Sequence, residues 1–147
     1  MIMNDNTNKI AILIKKLSLE IDKLSNPILE PHGLTHSQFK ILKFLLVNSE
    51  KHVRQVDIEK YFSMTNPTVT GLVQNLEKKG LIERKVNPDD SRSKILCPTE
   101  KTFAMKNLLY QLGDQLEDTL TSGLTSSERE TLLGLLKKLL HNSKDAK

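Results

Sequence analysis

One stretch constrains the fold more than any other: Thr65–Lys94, TNPTVTGLVQNLEKKGLIERKVNPDDSRSK. Thr65 is placed to cap a helix with its hydroxyl. Pro67 fits the first turn, where backbone N–H groups have no intrahelical partner. Val69, Leu72, Val73 and Leu76 then recur at spacings of three, one and three, one apolar stripe on one helix face. At about 100° per residue the opposite face carries Pro67, Gly71, Gln74 and Lys78, flanked by Thr68, Thr70 and Asn75. A face that merely meets water carries Glu and Lys throughout; this one is uncharged at its front, with short polar groups beside a glycine that suit close docking. Gly80 stops the helix, and Leu81-Ile82 opens a strand. Asn87-Pro88-Asp89-Asp90 forms a turn, and Ile95-Leu96 begins the return strand. The expected unit is a helix running directly into a charged β-hairpin.

The segment before it completes the pattern. Thr35-His36-Ser37-Gln38 is a capping box, opening an amphipathic helix that carries Phe39, Leu42, Leu45 and Leu46. Asn48 to His52 is a polar break, and Val53-Arg54 an extended segment at the sheet edge. Gln55 to Phe62 forms a third, shorter helix with Val56, Ile58, Tyr61 and Phe62 turned inward, and Ser63-Met64 is the tight link onward. A short helix, a tight link and a polar-fronted helix make a helix-turn-helix.

The residues Met64–Thr70, Leu76-Glu77-Lys78-Lys79-Gly80-Leu81-Ile82 and Asp90-Ser91-Arg92-Ser93-Lys94 together resemble the DNA-binding core of the multiple-antibiotic-resistance regulator (MarR) family of winged-helix transcription factors. The last group matches the family's wing pattern of Asp, any residue, Arg, any residue, Lys. Each piece is common alone; their order and spacing are specific, and the likeness extends loosely over nearly the whole chain. The resemblance implies that Arg92 is the wing-tip arginine entering the minor groove and that Asp90 holds it. It also implies a transcription regulator, usually a repressor, that loses DNA affinity when a small phenolic or lipophilic effector binds between a dimer base and the DNA lobes.

The residues themselves fit that chemistry. Gln74 offers paired hydrogen bonds to an adenine edge. The Thr68 and Thr70 hydroxyls suit phosphate or a base, and their methyls suit thymine. Thr65 and Asn66 lie at a helix N-terminus, which favours phosphate. The DNA-contacting set is then Arg54, Gln55, Thr65, Asn66, Thr68, Thr70, Gln74, Arg84, Lys85, Asp90, Arg92 and Lys94. The bland alternatives are a ligand-free polar helix face and a solvated hairpin of alternating charge. A further alternative is a winged helix that binds a partner protein without sequence-specific DNA binding.

The ends of the chain read as long helices. From Thr7 to Leu29, Ile10, Ile14, Leu17, Ile21, Leu24 and Ile28 alternate in steps of four and three, a heptad seam, with Leu13 and Leu19 beside it. Asn26-Pro27 kinks or ends that helix, and Glu30–Gly33 is a loop. Thr99 or Thr102 opens a helix reaching Thr121 with Phe103, Leu108, Leu109, Leu112, Leu116 and Leu120 on its apolar side, and Gly123 breaks it. Thr125-Ser126-Ser127-Glu128 is a second capping box. The last helix carries Leu132, Leu133, Leu135, Leu136, Leu139 and Leu140, more leucine than a short terminal helix buries locally. Ile10, Ile14, Leu17, Ile21, Leu132, Leu136 and Leu139 are therefore candidates for a homodimer interface. Residues 1–6 and 143–147 are polar ends.

The expected architecture is mainly α with a small antiparallel β wing: a single chain 1–147, a winged helix-turn-helix lobe at 35–98, and dimerisation helices at 7–30 and 100–143. Its partners are double-stranded DNA, a second copy of itself and an effector. Between Lys51 and Lys94 there are nine Lys/Arg against six Asp/Glu, three of the chain's four net positive charges. One cysteine excludes an intrachain disulfide and a cysteine-rich zinc site. Cys97 suits a small buried strand residue better than a redox sensor, and the family's peroxide sensors carry their cysteine near the N-terminus, where this chain has none. His32, His36, His52 and His141 share no metal-ligand spacing. No glycine-rich phosphate loop or nucleophile elbow occurs, so no enzyme and no cofactor is expected. No apolar run approaches the ~20 residues of a membrane span, and no signal-peptide h-region precedes the first helix, so a cytoplasmic protein is expected.

Overall fold

The computed structural model describes residues 8–145. The polar lead-in 1–6, a helix start at Thr7 and the last residues of the polar tail lie outside the described residues. Seven helices and two strands follow in order: α1 (Ile10–Leu29), α2 (His36–Val47), α3 (Gln55–Phe62), α4 (Asn66–Lys78), β1 (Ile82–Asn87), β2 (Asp90–Pro98), α5 (Glu100–Ala104), α6 (Lys106–Thr121) and α7 (Ser126–Asp145). The architecture is the mainly helical one expected, with a single antiparallel hairpin.

The core is the apolar stripe of α2 met from all sides. Ile41, Leu42 and Leu45 are fully buried, and Ile58 of α3, Val69, Val73 and Leu76 of α4, Leu81 before the sheet and Leu109 of α6 close around them. Each such aliphatic side chain contributes about 1.5–3 kcal/mol on burial. α2 starts as its sequence requires: the Thr35 hydroxyl accepts from the Gln38 N–H while the Gln38 side-chain Oε1 accepts from the Thr35 N–H.

The junction between α4 and the hairpin is built from the chain's own polar groups. Gly80 adopts φ +71°, a left-handed turn that a glycine takes without strain. Across the sheet base, the Thr99 hydroxyl donates to the Gly80 carbonyl at 2.7 Å, and the buried Thr102 hydroxyl donates to the Leu81 carbonyl at 2.6 Å. The Leu96 N–H donates to the Val53 carbonyl at 2.8 Å, so residue 53 does run along the sheet edge, through one bond.

Several sequence expectations change. α1 passes through Pro27 and ends at Leu29. Pro27 costs the helix one N–H, while the Glu30 N–H still closes the last turn on the Asn26 carbonyl. Glu30–His32 is a 3-10 turn closed by Gly33 at φ +70° rather than an irregular loop. The helix expected from Thr99 to Thr121 is two: the Thr99 hydroxyl caps the short α5, and the chain turns at Met105 before α6. Anchoring Thr102 to Leu81 fixes α5 on the sheet base, and α6 must turn away from it to lie along α1 and α2. Phe103 is consequently exposed. Tyr61 is also outward, 70% exposed, stacked against Phe44 with ring centroids 4.8 Å apart; only one of the Tyr61-Phe62 pair can face the core on a helix. The return strand starts at Asp90, not Ile95, because Asp90 already pairs with Asn87 and Lys94 with Val86.

The terminal helices are largely unpartnered. Ile10 to Glu20 of α1 are exposed, and its buried residues come only near its end, at Ser25 and Leu29. From Ser126 to Lys144, every residue of α7 is exposed. Its capping box is formed, with Thr125 and Glu128 exchanging hydrogen bonds at 2.9 and 3.1 Å. Arg129 ties α7 to α6 through Glu117 at 3.8 Å and Asp118 at 3.5 Å.

Candidate nucleic-acid interface

α3, the Ser63-Met64 link and α4 form the helix-turn-helix. Ser63 is held at φ +53°, and the Met64 N–H closes the end of α3 on the Glu59 carbonyl at 3.0 Å. That sharp turn leaves Asn66, Pro67, Thr68, Gly71, Gln74, Asn75 and Lys78 exposed on one surface, while Val69, Val73 and Leu76 point to the core. The face expected to dock is thus the face that is free. A methyl group added at Gly71 would meet nothing within 4 Å, so the backbone there is open to close approach.

The start of α4 is organised differently from expectation. The Thr65 hydroxyl does not cap the helix backbone; it donates to the Thr68 hydroxyl at 2.9 Å. Pro67 removes one of the two N–H groups a capping oxygen would bind. Asn66 donates instead to the Glu59 carboxylate at 3.0 Å, which links the first residue of α4 back to α3. Gln55, the first residue of α3, donates through Nε2 to the Thr70 hydroxyl at 2.8 Å, and both side chains are partly buried. Gln74 stays exposed between them and the C-terminal Lys78.

The hairpin pairs Ile82 with Pro98 through Val86 with Lys94 in regular register, then jumps so that Asn87 faces Asp90. Ser91, Arg92 and Ser93 are thereby looped out of the ladder. Side chains pin this bulge: Asn87, nearly buried, accepts from the Asp89 N–H at 2.9 Å and donates to the Ser93 hydroxyl at 3.0 Å. Arg92 projects from it with its side chain 90% exposed. Asp90 does hold Arg92, through one oxygen: its Oδ1 accepts from the Arg92 backbone N–H at 3.0 Å and from Nε at 3.2 Å. Two residues apart on one bulge, the carboxylate reaches Nε before it can face the terminal nitrogens, which stay turned to solvent.

The other basic candidates are mostly paired. Arg84 of β1 donates to Glu77 of α4 at 2.9 Å, bracing the hairpin against the helix. Lys85 lies 3.4 Å from Glu83, and Arg54 is 3.3 Å from Asp57. Lys94 and Lys78 are exposed, with no acidic partner among the described residues. Three groups escaped the sequence reading. Glu59 and Glu77 orient Asn66 and Arg84, and His52, in the segment before α3, contacts Asp89 at the hairpin turn at 2.8 Å. Nothing in local spacing marks them, since each acts across two elements.

Cys97 is half-buried on β2. Burial pushes its thiol pKa up, with Glu83 adding to that and Lys85 opposing it, so the thiolate is disfavoured. His36 pairs with Asp22 at 3.0 Å, and among the described residues no group of three or more His, Cys, Asp or Glu is arranged to hold a metal ion.

A helix-turn-helix whose second helix runs into a two-stranded wing, with amides outward on the helix and cations outward on the wing, defines a winged-helix DNA-binding transcription regulator. The chain belongs to the MarR family: the family pattern matches residues 32–93. The multiple antibiotic resistance protein MarR of Escherichia coli is 33% identical over 129 residues, covering 87% of this chain and 88% of that protein. Two solved complexes share the fold closely. The MepR–DNA complex of S. aureus has a TM-score of 0.80 at 30% identity, covering 91% of this chain and 98% of that one. A mutant MarR from E. coli complexed with operator DNA has a TM-score of 0.81 at 31% identity, covering 94% and 99%. Among the described residues no helix is long and apolar enough to cross a membrane.

Proposed function

We propose that the protein acts in the cytoplasm as a homodimeric, ligand-responsive repressor on a pseudo-palindromic operator. The observation that carries this is one continuous free surface: the uncharged outward front of α4, with Gln74 uncommitted, runs onto a wing whose Arg92 is pinned at its base and open at its tip. α4 enters the major groove. Gln74 and Thr70 read base edges, Thr65, Asn66 and Thr68 sit at phosphate by the helix N-terminus, and Arg92, placed by Asp90, enters the adjacent minor groove. Arg54, Gln55, Arg84, Lys85 and Lys94 flank this surface; for Arg54, Arg84 and Lys85 contact with phosphate requires exchanging a carboxylate partner for it.

Residues 35–98 form the DNA lobe, and the helices within 7–30 and 100–143 form the dimer base. Ile10, Ile14, Leu17 and Ile21 of α1 and Leu132, Leu136 and Leu139 of α7 supply apolar surface that the single chain leaves uncovered or half-covered. A second copy burying it explains why a helix with no buried residue is kept. An effector fits a cleft of about 700 Å³ walled by Phe39, Phe44, Tyr61 and Phe62, where Lys40 and Lys43 lie over aromatic rings and Lys43 also reaches Tyr110 of α6. Filling it would push on α2 and α3 from the side of the base.

The test is duplex binding against salt. Affinity should fall linearly on a double-logarithmic plot, with a slope of about −0.9 per phosphate contact. Binding that ignores salt, or capture of a protein partner by the same surface with no duplex affinity, would favour a protein-interaction module instead.

A further inference from the structure

We infer that Gln55 tunes the base preference of Thr70 without touching DNA, by biasing that hydroxyl towards donating. This deepens the operator-binding reading and rests on it. A threonine hydroxyl carries one proton and can accept as well as donate, so by itself it does not discriminate an acceptor from a donor on a base edge. At Thr70 the balance is tilted towards donating, because one of the two lone pairs is already occupied. Gln55 Nε2 donates to Oγ1 at 2.8 Å, and among the described residues the Thr70 hydroxyl donates to nothing. Its oxygen is engaged from the α3 side, and its proton is left for whatever approaches α4.

The geometry makes this a built-in polarity rather than a passing contact. Gln55 begins α3 and Thr70 lies one turn into α4, on either side of the Ser63-Met64 turn, and both are partly buried. The separation of the two helices is held independently by Asn66 on Glu59 and by the Met64 N–H on the Glu59 carbonyl. Gln55 therefore cannot reach past Thr70 to the groove without giving up this bond. Thr65 and Thr68 differ, because two hydroxyls facing each other exchange roles by turning a proton, whereas Gln55 must turn its whole amide to accept.

In the major groove a donor matches guanine N7 and O6, thymine O4 or adenine N7, and cytosine alone offers it no acceptor. An acceptor matches cytosine N4 or adenine N6. Thr70 biased towards donating therefore disfavours cytosine on the strand it faces, by about threefold to tenfold for one neutral hydrogen bond. Gln55→Glu keeps the length and shape of the side chain but replaces the donor by an acceptor. The Thr70 proton then turns inward, and its lone pairs face the groove.

The experiment is selection from randomised duplexes with wild type, Gln55→Glu, Thr70→Val and the double variant, each checked for folding by circular dichroism. Gln55→Glu should change preference at one position of each half-site, towards cytosine and away from guanine and thymine, and leave the other positions as in wild type. Its added negative charge lowers affinity for all sequences alike and drops out of the preference. In the Thr70→Val background the same substitution should move no position. Gln55→Met, which neither donates nor accepts strongly, should flatten that position, and it serves if the glutamate variant misfolds. An unchanged profile for Gln55→Glu, or a shift that persists in the Thr70→Val background, overturns the inference. If wild type itself selects no sequence, the operator reading has failed, and the inference falls with it.

Discussion

Removing Asp90 tests the wing most sharply, because charge and geometry predict opposite signs. Asp90 is an acid on a DNA-facing bulge; on charge alone, Asp90→Ala should tighten binding. In the structure, however, one carboxylate oxygen accepts both from the Arg92 N–H at 3.0 Å and from Nε at 3.2 Å, so it fixes the bulge and the guanidinium together. With Arg92 90% exposed, the pair contributes little to folding, of the order of an exposed ion pair at 0–1 kcal/mol, and the variant should fold and assemble normally. Its value lies in pre-ordering a long side chain that otherwise loses about 0.5–1.5 kcal/mol of freedom on binding. Asp90→Ala should therefore weaken operator binding by roughly twofold to tenfold per lobe. Arg92→Ala should weaken specific and non-specific duplexes alike and reduce the salt slope by about 0.9 per lobe. Fluorescence anisotropy against salt for wild type, both single variants and the double variant gives the coupling, and the double loss should be smaller than the sum. Tighter binding by Asp90→Ala, or an Arg92→Ala that binds as wild type, would refute the reasoning.

Gln74 is exposed mid-helix, so Gln74→Ala should cost about 1–3 kcal/mol per half-site and flatten discrimination at one base, visible by competition between operator and random duplex. Leu136→Asp should place an unpaired charge in the dimer base; sedimentation should show dimer for wild type at micromolar concentration and monomer or unfolded chain for the variant. Cys97→Ser should leave DNA binding near wild type and peroxide should release the wild-type protein poorly, since burial raises the thiol pKa; release abolished by the substitution would make it a sensor. Burial and Lys40 lower the His36 pKa below its ordinary 6.5, against the opposing pull of Asp22. The unfolded chain then binds the proton more readily, so this stability is full above pH 6.5 and is lost as pH falls through 6.5 towards the lowered value. Thermal unfolding of His36→Gln should be less acid-sensitive than wild type over that window.

What could be read in advance followed from how local the chemistry is. The capping boxes at Thr35 and Thr125 need only residues three apart, and both formed as spelled. The stripe of α4 and the Gly80 stop are likewise contained in one helix, as was the outward position of Gln74. What failed depended on neighbours. Whether Tyr61 or Phe62 faces the core depends on how α3 rolls against Phe44. The break at Met105 is imposed by the Thr102 anchor on Leu81, twenty-one residues earlier in the chain. Among the site residues, Arg92 was legible because a bulged turn exposes it. The commitments of Arg84 to Glu77 and of Gln55 to Thr70 join separate elements, and no spacing within either element announces them.

If two lobes on one dimer read two successive major grooves, hydroxyl-radical footprinting on a selected duplex should show two protected half-sites related by a two-fold axis and centred about 10 base pairs, or a small multiple of that, apart, with added minor-groove protection beside each that disappears in Arg92→Ala. A single unpaired half-site, or uniform protection without helical phasing, would contradict it.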